Sequence, residues 1–144
     1  MKVVWKTSTI FLGSECLKDL PSDMDNARKF DLENRLVEFT IKITDVVESL
    51  PDSKVANYLG GQLLRSGSSP VLNYGEAQAA ESRRDFIHKL RIILKELRET
   101  SICLTLLNRK SYITDSSLLK ESKELIAIFA KSIGTAQANY PAKD

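Results

Sequence analysis

From Phe30 almost to the C-terminus, apolar residues recur at spacings of three and four, and that rhythm restricts the chain to packed helices. Leu32, Leu36, Phe39, Ile43, Val46 and Leu50 form a first stripe, which Pro51 ends. Asp52-Ser53 then supplies a cap for a second helix carrying Val55, Leu59, Gln62, Leu63, Val71, Leu72 and Tyr74. Phe86, Leu90, Ile93, Leu97, Leu104 and Leu107 make a third stripe behind Ser82 as N-cap, with Asp85 in the first turn. A turn over 108–114 leads to Asp115 or Ser116 as the start of a fourth helix. There Leu118, Ser122, Leu125, Phe129 and Ile133 share a face, beside Leu119, Ile126 and Ala130, and Gly134 and Pro141 mark its fraying end.

Four such stripes on short connections predict an all-α fold, an antiparallel up-down four-helix bundle. The expected helices lie near 31–49, 53–80, 82–108 and 115–139, within one domain over 30–140. Residues 1–29 read differently and are set apart as an N-terminal extension. Val3–Trp5 and Thr9–Leu12 favour strand, and Leu20–Asn26 is turn-like. A loose arm, a small strand pair and an arm packing Trp5 and Phe11 onto the bundle all fit that pattern.

The stretch from Gly60 to Leu107 is the most unusual part. Its first half sets Gly67, Pro70, Asn73 and Gly75 in an otherwise apolar helical pattern. Such residues weaken a helix, by roughly 1 kcal/mol for Gly and about 3 for Pro, so they point to close backbone packing or a kink. The Gly67–Pro70 region is expected to break the second helix. Pro70 also removes the amide that would bond the Ser66 carbonyl, a defect that neighbouring hydroxyls can relieve. In the second half, Ile87, Ile92, Leu94, Ile102 and Leu106 widen the third stripe beyond one bundle face. That width suits either a self-association surface or a broadly buried central helix.

Chemistry is scarce. A ferritin-like di-metal site needs two Glu-x-x-His elements, and His88 is the only histidine, so neither a metal site nor a cofactor is expected. The same histidine lacks a nucleophile–acid pattern, which argues against covalent catalysis by Ser66, Ser68 or Ser69. Cys16 and Cys103 lack CxxC spacing and are expected as free thiols of a reducing cytoplasm, with one disulfide between them as the alternative. Lys6 interrupts the weakly apolar N-terminus, so no signal peptide or membrane span is expected, and the chain reads as cytoplasmic.

Two constellations remain. Gln62, Arg65, Asn73 and Glu76 fall mostly on one side of the second helix, as a hydrogen-bond network that fixes register or as a ligand site. Arg83, Arg84, Lys89, Arg91, Lys95 and Arg98, with Arg65 nearby, form a basic group diluted by Glu81, Asp85, Glu96 and Glu99. It is either a solvated face of ion pairs or a phosphate-contacting patch. The chain's net charge of +2 neither demands nor excludes RNA.

The run Gln62-Leu-Leu-Arg-Ser-Gly-Ser-Ser69, then Asn73-Tyr-Gly-Glu-Ala77, Asp85-Phe-Ile-His-Lys-Leu90 and Lys95-Glu-Leu-Arg-Glu-Thr100 resembles one family. It is that of the four-helix-bundle proteins encoded in intervening sequences of bacterial 23S ribosomal RNA genes, with the accessory variability proteins of diversity-generating retroelements as relatives. The resemblance spans about Phe30 to Asn139. It implies a four-helix bundle, a homopentameric ring, no enzymatic activity, and, through the retroelement relatives, partnership with RNA and a reverse transcriptase. The expected partners are thus further copies of the chain, and RNA or a nucleic-acid-processing protein. A protein–protein interaction module with no nucleic-acid role is the alternative. At Pro70, Val71 and Leu72 the family favours smaller residues, so these side chains are expected to push a neighbouring helix outward.

Overall fold

The structure, a computed structural model, describes residues 31–139. The N-terminal extension, with Trp5, Phe11 and Cys16, lies outside the described residues, as does Pro141. Four helices follow one another: α1 (Asp31–Ser49), α2 (Lys54–Gln78), α3 (Arg83–Arg109) and α4 (Ser117–Ala138). The short connections turn each helix back on its predecessor, which gives the expected antiparallel bundle. α2 packs on α1 and α3, and α3 on α4, while α1 and α4 meet lightly to close the square.

Every residue of the α3 and α4 stripes named above is buried, and so are Leu32, Leu36, Phe39 and Ile43 of α1. Burial removes these side chains from water at roughly 25 cal/mol per Å² of apolar surface, the term that holds the four helices together. Tyr74 of α2 meets Phe129 of α4 edge to face across the core, with ring centroids 6.3 Å apart.

The helix ends use the expected chemistry at two starts. Ser53 Oγ accepts the Ala56 amide and Ser82 Oγ the Asp85 amide, each at 3.1 Å. At α4 the arrangement differs: Ser116 stands at the N-cap position without a side-chain cap bond. The Asp115 carboxylate instead accepts the Ser117 amide at 2.8 Å and the Ser117 hydroxyl at 2.7 Å. These bonds hold the Asp115 carboxyl below its ordinary range. The end of α3 was not marked by a glycine. There Ser111 adopts a left-handed φ of 59°, the Tyr112 amide bonds the Leu107 carbonyl and the Ser111 amide bonds the Asn108 carbonyl. That pair of bonds is a Schellman motif with serine where glycine is usual.

Contrary to the expected break, α2 runs unbroken through Gly67 and Pro70. Both residues are buried, together with Ser66, and packing on two sides holds the helix where propensity alone would open it. Gly67 permits the approach of α1: a Cβ built there would fall 2.7 Å from Ile43 Cγ2. Gly60 likewise faces Leu50 and Val47. Gly75, by contrast, opens onto free space. Ser66 does not repair the proline defect. Its hydroxyl lies 3.0 Å from that of Thr100, which also donates to the Glu96 carbonyl, so the two hydroxyls pin α2 to α3 inside the core. Leu72 is 66% exposed, so it presses no helix outward within the bundle. Pro70 is buried and Val71 packs against the core.

A candidate polyanion-binding face on the third helix

α3 turns one long face to solvent. Its residues Arg84, Arg91, Lys95 and Arg98 follow spacings of seven, four and three, so the 3.6-residue repeat stacks them along one line. All four are exposed, and none meets a carboxylate within ion-pair distance among the described residues. His88 is exposed on the same side. At the start of the stripe an open recess of about 830 Å³ is lined by Arg83, Arg84, His88 and Arg91, with Asp85 and, from the end of α4, Gln137. Three guanidinium groups around one concavity favour an anionic group with several acceptor oxygens.

The other basic candidates stand apart. Lys89 is half-buried and turns toward α2, where its ammonium group pairs with Glu76. That bond raises the Lys89 pKa above the ordinary lysine value. Arg83 is half-buried beside the stripe. Arg65 sits exposed on α2 and donates to Gln62 Oε1. The polar series of α2 divides accordingly. Gln62 binds Arg65 and, at 3.3 Å, the Tyr58 hydroxyl, while Asn73 bonds Ser69 and Glu76 reaches Lys89. Gln62–Arg65 and Glu76–Lys89 are thus separate pairs, and only the second links two helices.

Sequence reasoning passed over one cluster. Arg35 of α1 donates to Glu121 at 2.5 and 2.9 Å and to Glu124 at 2.7 Å, a forked clamp onto α4. The Glu121 bonds, offset in part by burial, raise the Arg35 pKa further above its ordinary value. The clamp ties the lightly packed α1–α4 pair and is structural in kind. Cys103 is buried, and burial, with Glu99 nearby, pushes its thiol up in pKa and away from the reactive thiolate. Among the described residues no group of three or more His, Cys, Asp or Glu could hold a metal ion, and no helix is long and apolar enough to cross a membrane.

A four-helix bundle whose most distinctive surface is a basic helical face falls in the class of all-helical bundle proteins. The chain belongs to the 23S rRNA-intervening sequence protein family, whose model matches residues 28–133. It is similar to a crystal structure, at 1.70 Å resolution, of a protein of unknown function from the S23 ribosomal protein family of Bacteroides thetaiotaomicron. The two are 36% identical, with a TM-score of 0.66, over 71% of this chain and 94% of that one. No curated protein matches the chain.

Proposed function

We propose that the chain is a non-enzymatic scaffold, assembled as an oligomeric ring with five copies as the first choice, that lays the α3 stripe along the phosphate backbone of a nucleic acid. One observation carries the nucleic-acid part: Arg84, Arg91, Lys95 and Arg98 share an exposed face without carboxylate partners among the described residues. Exposed, unpaired cations in a line suit a polyanion, whose charges are also spaced along a line. Guanidinium groups contact phosphate oxygens without reading bases, so binding should depend on backbone charge more than on sequence. Ring assembly multiplies the modest charge of one chain into a field repeated about an axis.

The membership in a family named for rRNA intervening sequences is consistent with an RNA partner. Anisotropy of a labelled RNA, titrated with the protein over a salt series, tests the reading. Affinity should fall steeply with salt, with a log–log slope of about −0.7 to −0.9 for each phosphate contacted. Undetectable binding at low salt would remove the nucleic-acid role. It would leave a module that binds only proteins.

A further inference from the structure

We infer that two different faces of the chain dock on each other between copies: the C-terminal half of α1, centred on Ile41, against the C-terminal end of α3, centred on Ile102 and Leu106. This rests on the oligomer proposed above and names its contact. Ile102 is 61% exposed and Ile41 47%, large apolar side chains that the bundle itself leaves uncovered. Neither stands alone. Leu106 is exposed one turn after Ile102 on α3, and Leu64 is exposed on the side of α2 that packs on α1.

The two faces match in level and in charge. Thr40 bonds the Gly67 carbonyl, which sets Ile41 beside that level of α2. Thr100 bonds Ser66, which sets Ile102 within a turn of the same level. Two copies related by rotation about an axis parallel to the bundle therefore bring the isoleucines together. The surroundings differ in sign on balance: around Ile41 the exposed carboxylates of Glu38, Asp45 and Glu48 outnumber the single Lys42. Ile41 is followed on α1 by exposed Asp45 and Glu48, whereas Leu106 is followed on α3 by exposed Arg109. Ile41 and Ile102 belong to helices at opposite corners of the square, so one chain can use both faces at once. Such a head-to-tail contact repeats from copy to copy and closes a ring where the rotation it imposes divides a full turn. It uses the end of α3 beyond Arg98, so the four cations of the stripe, Arg84, Arg91, Lys95 and Arg98, stay available for phosphate.

Light scattering and sedimentation of the full chain and of Ile41→Glu and Ile102→Glu test the assignment. Both positions are exposed, so each variant should keep its helical spectrum. The parent should run at a multiple of 16.2 kDa. Each variant should need roughly 100-fold more protein to assemble, the effect of a buried charge at the centre of a contact. Mixed in equal amounts, the variants retain one intact face each and should form a two-chain particle of about 32 kDa, twice 16.2 kDa. A parent that assembles together with variants that assemble equally well would overturn the contact and leave the oligomer standing. A monomeric parent would overturn both. Variants that dissociate but do not pair when mixed would overturn the head-to-tail assignment.

Discussion

Gly67 of α2 and Ile43 of α1 are in such close contact that a single added carbon on the glycine would fall 2.7 Å from Ile43 Cγ2. Ile43 is fully buried, with no room to retreat. The pair sets the α1–α2 separation.

Gly67→Ala should therefore destabilise the protein by about 1–3 kcal/mol, because overpacking outweighs the gain of about 1 kcal/mol in helix propensity. Gly75→Ala should do the opposite. It lies within the same helix with nothing near its Cβ, so only the propensity gain of about 0.5–1 kcal/mol remains. Urea unfolding of the two variants checks the contrast, and a shared sign would refute the packing argument.

The Arg35 clamp predicts a local effect. Arg35→Ala removes three charge-assisted bonds between α1 and α4 and should cost about 1 kcal/mol, less at high salt. Hydrogen exchange should quicken most in α1, whose packing on α4 is light. Uniform quickening across all four helices would mean that the clamp is not what secures this pair.

Alkali should find Tyr74. Burial, reinforced by the charge of Glu33, pushes its phenol up to about 12 from 10.0. The folded pKa is raised, so the stabilisation is complete below pH 10 and is lost as pH climbs from 10 toward 12. Tyr74→Phe should flatten the loss of stability in that window. Tyrosinate absorbance should show a phenol that ionises only toward pH 12, or together with unfolding, and that is missing from Tyr74→Phe. Ionisation of Tyr74 near pH 10 with the fold intact would contradict its burial.

Ser111→Gly should stabilise the chain by about 0.5–1 kcal/mol, since φ of 59° costs serine what it does not cost glycine. Thermal melts of the variant measure this directly, and an unchanged or lower melting point would argue against the Schellman geometry.

Where burial follows periodicity, the sequence was sufficient. Leu36, Phe39, Ile43 and the stripes of α3 and α4 are core because a 3.6-residue repeat leaves them no other face. The caps Ser53 and Ser82 were equally legible, being local bonds between near neighbours. What escaped is non-local or contextual. Arg35 and Glu121 lie 86 residues apart, and no spacing rule joins them. Pro70 argued for a break that burial on two helices overrides. Ser111 hides a left-handed turn behind a residue type that seldom marks one. The widened apolar surface of α3 divides: Ile87 is buried, whereas Ile102 and Leu106 are exposed. Of the basic candidates, periodicity correctly aligned Arg84, Arg91, Lys95 and Arg98. Lys89 was lost to Glu76 because that carboxylate belongs to another helix.

The central claim is tested most directly by the RNA affinity and salt slope of Arg84→Gln/Arg91→Gln/Arg98→Gln, beside a control with Lys110, Lys120 and Lys123, exposed elsewhere on the bundle, changed to Gln. Both variants lose three charges. If the α3 stripe contacts phosphate, the arginine variant should bind at least tenfold more weakly, with a log–log salt slope flatter by about 2–3, while the lysine variant stays close to the parent. Equal losses in the two variants, or none in the arginine variant, would mean that the stripe is a solvated face and that this protein holds no nucleic acid there.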